Sequence, residues 1–529
     1  MPNQAANTTQ ARRAELDAMS WSPYQLAVED ECEFGTGNIA VDAVAGSGKT
    51  TTIEWLTLTG AVSGRVLVCA FNKHIATPMS KLLGDHAEVR TINAHGNATT
   101  KTAANQKSWS YLNSGKYRGY LNEDIRAACR GYSSLADALS EHWPLNSAVR
   151  VVDLARSTML ATVSRDKKVS LSRHDFNHIV SNWDITVDSS VENWVYNATV
   201  RALQRGIDEW KTVIDFCDQN WLPVSLNLQP KKYDWVIVDE AQDLNQMQLQ
   251  YVMKCLDTDG RLLAVGDPRQ AMYGFSGAMH DSFDQIVRVS NAKVLPLSIC
   301  YRCPTSHLDM AREIVPHLEA RPDAPEGDIQ MIGASSLPTF VRDKDLILCR
   351  VNAPLIKTAY QLLAQGIAAR IRGGDLGKSL KADIKKVEKL PNYTWARFDD
   401  GLLELQTREI DTIMRRNGGN DEDPAIARRR DRTQCLLFIW ANNPECSSTA
   451  CLAKAIDVLF DESNASVTLS SVHKAKGDQS DRVLIFDPDI MPHPMAQRGP
   501  AWQMTQEWNI KYVALTRAKQ SLILINPDA

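Results

Sequence analysis

The sequence predicts an α/β protein built from two successive units, each with a parallel sheet flanked by helices. Three observations lead to this fold class. A buried apolar strand at Ile39–Val41 runs into a glycine-rich loop and then into a helix from Thr51. A second apolar strand, Trp235–Val238, ends in two adjacent carboxylates. The alternation of strands and helices starts again at Asp345–Cys349 and continues to Ile525, which indicates a second unit of the same kind.

The loop after the first strand, Ala43–Thr50 (AVAGSGKT), has the pattern of a P-loop in which alanine takes the place of the first glycine. Gly46 and Gly48 allow backbone N–H groups to turn inward around a phosphate, and the positive end of the following helix adds to this attraction. Lys49 can reach the β- and γ-phosphates, and the Thr50 hydroxyl can ligate Mg²⁺. The alternative is a chance glycine-rich turn, which a complete GSGKT between a strand and a helix disfavours. The pattern therefore predicts a site for a nucleoside triphosphate.

Acidic and amide side chains follow the later apolar strands. Asp239 and Glu240 lie at the carboxyl end of their strand, where the ligands of such sheets collect. We expect Asp239 to hold Mg²⁺ through water and Glu240 to take a proton from an attacking water, the alternative being a solvated acidic turn. Gln270, which follows the strand Leu262–Val265, is placed to sense the γ-phosphate. Upstream, Gln25 offers a donor and an acceptor that suit the edge of adenine, although an isolated glutamine is more often a surface residue.

Composition limits the class of protein. The 529 residues are enough for two to four domains, and 44% hydrophobic with 23% charged residues is ordinary for a globular protein. The net charge of −4 excludes a basic coat over the whole surface, so any nucleic-acid binding must be local. The eleven cysteines predict reduced, mostly buried thiols. Because the chain has no apolar stretch of about 18 residues and no signal-peptide core, we expect a cytoplasmic protein (nuclear if eukaryotic) that is not secreted and has no membrane partner.

Taken in order, the motifs resemble those of a superfamily 1 DNA helicase of the UvrD/Rep/PcrA type, in the style of the branch that includes the F-box DNA helicases and phage relatives. The motifs are GSGKT at 46–50, DEAQD at 239–243, GDPRQ at 266–270, YR at 301–302 and YVALTRA at 512–518. The resemblance implies two RecA-like domains that clamp ATP between them and move 3′→5′ along single-stranded DNA, with helical insertions in each domain. It implies ATP and Mg²⁺ as cofactors, single-stranded DNA and tailed or forked duplex DNA as partners, and a role in DNA repair, replication or recombination.

The resemblance also carries roles over residue by residue. Gln25 matches the adenine-reading glutamine, Tyr301 the ring that stacks on adenine, and Arg302 and Arg517 two arginine fingers that neutralise charge on the transferring phosphoryl group. The implied catalytic residues are Lys49, Asp239, Glu240, Gln270, Arg302 and Arg517. The implied nucleotide-binding residues are Gln25, Ala45, Gly46, Ser47, Gly48, Lys49, Thr50, Thr51 and Tyr301, with Thr50 and Asp239 as the metal ligands. The implied contacts with the DNA strand are Phe71, Asn72, Thr91, His95, Phe275, Ser471 and His473.

The chain departs from the usual family pattern at several positions. Ala70–Lys73 reads Ala-Phe-Asn-Lys where the family often has an aromatic residue followed by Thr-Asn-Lys, so the ring is shifted. Ser276 stands in place of a basic residue. Asp478–Gln479 stands in place of Leu-Glu, and an amide cannot supply the expected carboxylate. Glu507 and Asn509 follow the style of the F-box helicases rather than a double arginine.

The resemblance divides the chain into four parts. They are residues 1–99 with 231–300 (first RecA-like domain), 100–230 (helical insertion), 301–372 with 433–529 (second RecA-like domain) and 373–432 (small charged insertion). We expect the aromatic residues of the helical insertion to pack mostly in a core. The charged insertion carries Arg428–Arg430 and the pair Lys385–Lys386, which suit duplex phosphates but equally suit a solvated surface. We expect this insertion to tune duplex engagement while the motor works without it.

Three functional hypotheses remain open on the sequence. The first is an ATP-driven motor that moves on DNA and unwinds it. The second is an ATPase switch or clamp that is gated by nucleic acid and does not unwind processively. The intact Gln270, Arg302 and Arg517 favour the motor, because a clamp could dispense with them. The third hypothesis is an RNA helicase, which a comparison of ATPase stimulation by single-stranded DNA and RNA would distinguish.

Overall fold

The computed structural model describes residues 2–70, 72–106, 112–130, 134–183, 185, 187–272, 281–391, 393–416, 424–461, 466–498 and 501–527. The chain divides into two compact units, residues 1–299 and 300–529. In both units helices flank parallel strands, so the predicted α/β fold class is confirmed. The finer division into four parts stays a prediction.

The first unit contains the following elements. They are α1 (Pro2–Asp17), α2 (Pro23–Phe34), β1 (Ile39–Ala43), α3 (Lys49–Thr59), β2 (Val66–Ala70), α4 (Lys73–Leu83), β3 (Glu88–Thr91), α5 (Ile92–Ala103), α6 (Lys116–Ala128), α7 (Ser134–His142), α8 (Leu145–Ser157), β4 (Thr162–Val163), β5 (Val169–Ser170), α9 (Arg173–Asn182), α10 (Glu192–Asp208), α11 (Asp218–Ser225), β6 (Tyr233–Val238), α12 (Gln246–Cys255), β7 (Leu256–Gly266), α13 (Ser282–Ser290) and β8 (Lys293–Leu297).

The sheet of this unit has the strand order β3-β2-β6-β7-β1-β8, and its neighbouring strands pair in parallel. Strands of such sheets are continuous apolar runs because both faces are covered by helices. In β6, Trp235 and Ile237 pack into the core on one face, and Val236 and Val238 into the core on the other. The chain leaves the carboxyl end of β6 directly into Asp239, so this edge of the sheet carries the predicted chemistry.

Helices α6 to α11 pack around a hydrophobic core that holds Tyr117, Leu154 and Trp221 among others and extends to Met247 of α12. Next to this core lies a buried group of charges. Asp218 accepts hydrogen bonds from Lys116 Nζ at 2.7 Å and from Arg156 Nη1 at 2.9 Å. Burial disfavours the charge of Asp218, but the two cations outweigh burial and hold the pKa of its carboxyl below the ordinary value. The charges thus satisfy one another inside the helical segment.

Replacing Asp218 by Ala is expected to lower the free energy of unfolding by about 3–5 kcal/mol, because Lys116 would stay buried without its carboxylate and Arg156 would keep only its bonds to Asp215 and Asp153. The matched control is Asp124→Ala, which removes an ion pair with Arg201 from the surface and should cost at most about 1 kcal/mol. Chemical denaturation of both variants measures the difference. Equal losses in the two variants would mean that the buried group does not hold the helices together.

The second unit contains the following elements, of which the short β9 begins at the last residue of the first unit. They are β9 (Ile299–Cys300), α14 (Thr305–Arg312), β10 (Glu319–Ala320), β11 (Asp328–Gly333), α15 (Leu337–Phe340), β12 (Leu346–Cys349), α16 (Ala353–Ala364), β13 (Ala369–Ile371), α17 (Gly374–Val387), α18 (Phe398–Arg416), α19 (Pro424–Ala441), α20 (Thr449–Leu459), β14 (Val467–Ser471), β15 (Ser480–Phe486), α21 (Ala501–Leu515) and β16 (Ala518–Asn526). Its sheet has the order β11-β16-β15-β12-β14-β13, again with parallel pairs.

The charged segment 373–432 is part of the core of the second unit. Leu380 of α17 and Phe398 of α18 belong to the same buried cluster as Ile347 of β12 and Leu469 of β14. Removing the segment would therefore remove part of that core. The expectation that the motor works without residues 373–432 is not compatible with this packing.

The basic run Arg428–Arg430 is not a continuous charged surface. Arg429 is buried and pairs with Asp383 at 2.5 Å and with Glu409 at 3.2 Å. Lys386 pairs with Glu409 at 2.8 Å. The predictions of a duplex-phosphate contact or a solvated face are thus wrong for Arg429, because the helical turn of α19 points this residue inward while the next one is exposed.

One pair of cysteines also differs from the expectation of reduced thiols. Cys446, in the connection after α19, forms a disulfide with Cys451 in the first turn of α20, with a Cα–Cα distance of 5.4 Å. Five residues of separation allow this approach, because the chain turns between the two helices. In the described part of the chain, no helix combines the length and the apolar composition needed to cross a membrane.

Candidate functional site

The P-loop lies between β1 and α3, as predicted. Gly46 and Gly48 have φ of 71° and 80°, a left-handed backbone that residues with a side chain rarely adopt. This backbone brings the chain into the start of α3 at Lys49, two residues earlier than the predicted helix start at Thr51. The side-chain oxygen of Ser47 is buried, and among the described residues it has no hydrogen-bond partner. A buried hydroxyl beside the N-terminus of a helix fits a phosphate oxygen, so the loop is suited to a nucleotide.

Four predicted site residues of the first unit, Lys49, Thr50, Asp239 and Glu240, lie close together where β1 and β6 end. Lys49 Nζ is 3.8 Å from a carboxylate oxygen of Glu240, and the Thr50 hydroxyl donates to Asp239 at 3.2 Å. Burial and the neighbouring charge of Glu240 raise the pKa of Asp239 to about 6, against the effect of Lys49. The Thr50 hydroxyl and the Asp239 carboxylate are hard oxygen ligands, the kind that Mg²⁺ prefers. Because they lie 3.2 Å apart, both could bind one Mg²⁺ ion together with phosphate oxygens.

Two glutamines connect the ends of β6 and β7. Gln242 donates from Nε2 to Glu240 at 2.5 Å and accepts from the backbone N–H of Asp267 at 3.0 Å. Gln270 is buried and donates to the Asp267 carboxylate at 2.7 Å. Gly266 leaves room for this arrangement, since a Cβ there would lie 2.5 Å from Gln242 Oε1. The predicted phosphate sensor is thereby linked to the predicted base through hydrogen bonds.

Gln25 lies next to the P-loop and is buried. Its side-chain oxygen accepts from Ser22 in a capping box at the start of α2, and its Nε2 donates to the Thr52 hydroxyl at 3.1 Å. The role of Gln25 as adenine reader stays a prediction.

Within the second unit, Arg302 and Arg517 converge on Thr516. Arg302 Nη1 donates to the Thr516 carbonyl at 3.1 Å, and Arg517 Nη2 donates to the Thr516 hydroxyl at 3.2 Å. Arg517 is only 1% exposed and also donates to the carbonyls of Val513 and Asp478. Its guanidinium is thus part of the packing of its own unit, whereas Arg302 is partly exposed and Tyr301 is 36% exposed.

The departure at Asp478–Gln479 has a local explanation. The Asp478 carboxylate pairs with Arg372, which follows β13, and the Asp478 carbonyl accepts from Arg517 Nη1 at 3.3 Å. Asp478 thus links the segment after β13, through Arg372, to the segment after α21, through Arg517. Glu507 is likewise engaged inside this unit, because it accepts hydrogen bonds from Nε and Nη2 of Arg350 and from the backbone N–H of His493.

Several predicted DNA contacts lie at the carboxyl ends of strands. Asn72 follows β2 and caps α4, and Thr91 ends β3 and caps α5, so the two side chains are at one edge of the sheet. In the second unit, Ser471 is the last residue of β14, and His473 follows in the turn. Burial and the charge of Arg350 lower the pKa of His473 to about 4, so its ring is neutral at pH 7. Of the other predicted positions, Phe71, Phe275 and Ser276 lie outside the described residues.

His95 is not placed to contact DNA. It is 4% exposed, and its ring nitrogens lie 2.7 Å from the Tyr251 hydroxyl and 3.0 Å from the Tyr233 hydroxyl. Burial lowers the pKa of His95 to about 4. Both polar ends of the ring are therefore used inside the first unit. We correct its assignment to a core residue that links α5 to β6 and α12.

Sequence reasoning overlooked an exposed aromatic residue, Phe216. It is 63% exposed, although its neighbours Asp215 and Asp218 are buried by their bonds to Arg156. Its carbonyl accepts from the Asn93 side chain at 3.3 Å, which places it beside the start of α5. The sequence pattern that could have indicated this exposed ring is Asp-Phe-x-Asp at residues 215–218. Its two acidic residues hold the turn in place, and the aromatic ring between them faces outward.

A second overlooked feature is a C-x-x-C pair. Cys300 and Cys303 flank Tyr301 and Arg302, and both thiols are buried. The spacing can be read directly from the sequence. Among the described residues, no group of three or more His, Cys, Asp or Glu side chains is arranged to hold a metal ion.

Comparison with known proteins agrees with this arrangement. The UvrD/REP helicase N-terminal domain matches residues 27–289, and the UvrD-like helicase C-terminal domain matches residues 448–528. The ATP-dependent DNA helicase UvrD2 of Mycobacterium bovis is 24% identical over 552 aligned residues, which cover 92% of this chain and 76% of that protein. F-box DNA helicase protein 1 of Schizosaccharomyces pombe is 23% identical, over an alignment that covers 55% of this chain and 34% of that protein. F-box DNA helicase 1 of Gallus gallus is 26% identical, over an alignment that covers 55% of this chain and 29% of that protein. With both family domains matched in order over more than half of its length, the chain belongs to the UvrD/Rep family of superfamily 1 helicases, whose domains are RecA-like.

Proposed function

We propose that this chain is an ATP-driven motor that moves 3′→5′ along single-stranded DNA and unwinds tailed or forked duplexes. The observation that carries the proposal is the group formed by Lys49, Thr50, Asp239 and Glu240 where β1 and β6 end. Its relatives named above are DNA helicases, which supports DNA as the nucleic acid.

The residues divide the work of hydrolysis between them. Backbone N–H groups at the start of α3 and the Lys49 ammonium bind the phosphates, and Thr50 and Asp239 would hold Mg²⁺. The metal, when bound, neutralises phosphate charge and fixes its orientation. Glu240 takes a proton from the attacking water, and Gln242 keeps the Glu240 carboxylate in place by its hydrogen bond. Arg302 and Arg517 supply positive charge to the phosphoryl group as it is transferred.

On the DNA side, we propose that Asn72, Thr91 and Phe216 contact the strand. Hydrogen bonds from capping side chains to the backbone, together with stacking of a base on an exposed ring, give binding that tolerates every sequence. A motor that passes over arbitrary sequence requires this tolerance. Phe71 and Phe275 remain predicted stacking residues.

Replacing Phe216 by Ala is expected to weaken binding of single-stranded DNA by about 1–3 kcal/mol, similarly for all base compositions, because one stacking ring is lost. The matched control is Phe34→Ala, since Phe34 is 78% exposed at the end of α2, away from the strand ends that carry Asn72 and Thr91. Fluorescence anisotropy with labelled oligonucleotides measures both affinities. An unchanged affinity in the Phe216 variant would remove this ring from the proposed strand path.

The proposal is tested by strand displacement with ATP and Mg²⁺ on three substrates of equal duplex length. They carry a 3′ DNA tail, a 5′ DNA tail or a 3′ RNA tail. We expect unwinding of the first substrate only. ATPase stimulation without any displacement would indicate a clamp, and faster displacement from the RNA tail would indicate an RNA helicase; either result contradicts the proposal.

A further inference from the structure

Two cysteines enclose the residues predicted to act on the nucleotide in the second unit. Cys300 and Cys303 stand on either side of Tyr301 and Arg302, and the backbone N–H of Cys303 is 3.4 Å from the sulfur of Cys300. The two thiols are 0% and 2% exposed, but Tyr301 between them reaches the surface. A C-x-x-C spacing in a tight turn brings two sulfurs within reach of each other, as in dithiol redox motifs.

One of the two thiols, Cys300, differs from other buried cysteines in the direction of its pKa shift. A hydrogen bond from Cys303 lowers the pKa of Cys300 to about 6, against the opposing effect of burial, and the same bond raises the pKa of Cys303. Burial instead raises the pKa of Cys32, Cys255 and Cys349 to about 12. The opposite directions of the two shifts favour a thiolate at Cys300 beside a thiol at Cys303, which is the reactive combination.

The pair is connected to the predicted arginine fingers through one backbone carbonyl. Cys303 Sγ lies 3.6 Å from the carbonyl oxygen of Thr516, and Arg302 Nη1 donates to the same oxygen at 3.1 Å. The Thr516 hydroxyl accepts from Arg517 at 3.2 Å. A change in the position of the Cys303 sulfur would therefore disturb the anchor of Arg302.

We propose that Cys300 and Cys303 are a redox-active dithiol that a hydroperoxide oxidises to an intramolecular disulfide, and that this oxidation lowers the ATPase rate by misplacing Arg302. A zinc site is a poor alternative role for the two cysteines. Among the described residues, no third His, Cys, Asp or Glu joins them in a group that could hold a metal. The effect on the rate rests on the proposed function of Arg302, whereas the formation of the disulfide does not.

The reaction has two steps. The Cys300 thiolate attacks one oxygen of the hydroperoxide, the O–O bond breaks, and a sulfenic acid and hydroxide form (an alkoxide when the oxidant is an alkyl hydroperoxide). The Cys303 sulfur then attacks the sulfenic sulfur, the S–S bond forms, the S–O bond breaks, and the hydroxyl leaves as water with the proton of the Cys303 thiol. The anion released first takes up the proton that Cys300 had lost. The dithiol is oxidised by two electrons, and the hydroperoxide is reduced by two.

The test uses the full chain, reduced, freed of reductant and treated with hydrogen peroxide. Free thiols are then alkylated, and peptides are analysed by mass spectrometry while ATPase is measured with single-stranded DNA. In wild type we expect a disulfide between Cys300 and Cys303, and a loss of kcat of about tenfold or more that dithiothreitol reverses, because small misplacements of a catalytic group are costly. Cys303→Ser, whose hydroxyl can still donate to Thr516, should keep its rate in peroxide. Cys435→Ser, the control for a buried thiol elsewhere in the same unit, should lose its rate as wild type does.

Cys446 and Cys451, which form the other disulfide, are unchanged in every one of these variants, so they cannot account for a difference between them. Absence of a Cys300–Cys303 linkage in oxidised wild type would overturn the proposal. An equal loss of rate in Cys303→Ser, or a disulfide that leaves kcat unchanged, would overturn the link to Arg302. If the reduced protein has no ATPase activity at all, the proposed function fails, and the mass measurement still decides whether the dithiol reacts.

Discussion

Replacing Glu240 by Gln is expected to lower the turnover of ATP by about 10²-fold or more, because an amide cannot accept a proton from the attacking water. The change keeps the size of the side chain and leaves an oxygen for the hydrogen bond from Gln242. Nucleotide affinity should change little, since Lys49 and the P-loop backbone remain. Steady-state kcat and the affinity for a fluorescent ATP analogue measure the two quantities.

The matched control for this variant is Glu123→Gln, which removes the same charge from an exposed ion pair with Arg205. We expect near-wild-type kcat in the control and an unchanged thermal melting temperature in both variants. Glu240 has φ of 54°, a strained backbone for a residue with a side chain, and this strain fits a position held for chemistry. Near-wild-type kcat in Glu240→Gln would mean that another group is the base.

Replacing Arg302 by Ala is expected to lower kcat by on the order of 10³-fold with little change in KM, because an arginine finger acts mainly on the transition state. Arg302 offers the cleaner test of the two predicted fingers. Its side chain is partly exposed and donates a hydrogen bond to the Thr516 carbonyl. Arg517 is buried and donates to three groups of its own unit, so Arg517→Ala should lower stability together with kcat.

The control for Arg302→Ala is Arg312→Ala, which removes a guanidinium from α14 in the same unit. Arg302→Lys provides a second comparison, since a lysine keeps the charge but not the planar donor geometry and should recover only part of the rate. If Arg302→Ala raised KM and left kcat intact, the residue would belong to ground-state binding of the nucleotide.

The parts of the fold that the sequence predicted are those governed by local pattern. Leu346–Cys349, within the predicted strand Asp345–Cys349, is buried along its whole length, and such a strand stands out as an apolar run. The P-loop could be predicted because Gly46 and Gly48 satisfy a backbone requirement that no other residue meets as easily. These inferences need no knowledge of which distant residues meet.

The features that could not be predicted depend on contacts between residues far apart in the chain. Arg429 reads as part of an exposed basic run, and its burial depends on Asp383, which lies 46 positions away. His95 has the position of a strand contact in the motif, but Tyr233 and Tyr251 enclose it from β6 and α12. The exposure of Phe216 depends on the bonds between Asp215 and Arg156. In each case the sequence shows the side chain but not its partner.

The most direct test of the proposed motor is the rate of ATP hydrolysis with and without single-stranded DNA, measured for wild type and for Lys49→Ala. Lys49 lies at the start of α3 and is not part of the hydrophobic core, so circular dichroism and melting temperature should be unchanged in the variant. We predict that single-stranded DNA stimulates wild-type hydrolysis and that the variant shows no hydrolysis above background with or without DNA. Hydrolysis by a folded Lys49→Ala protein at the wild-type rate, or a wild-type rate that does not respond to single-stranded DNA, would contradict the account.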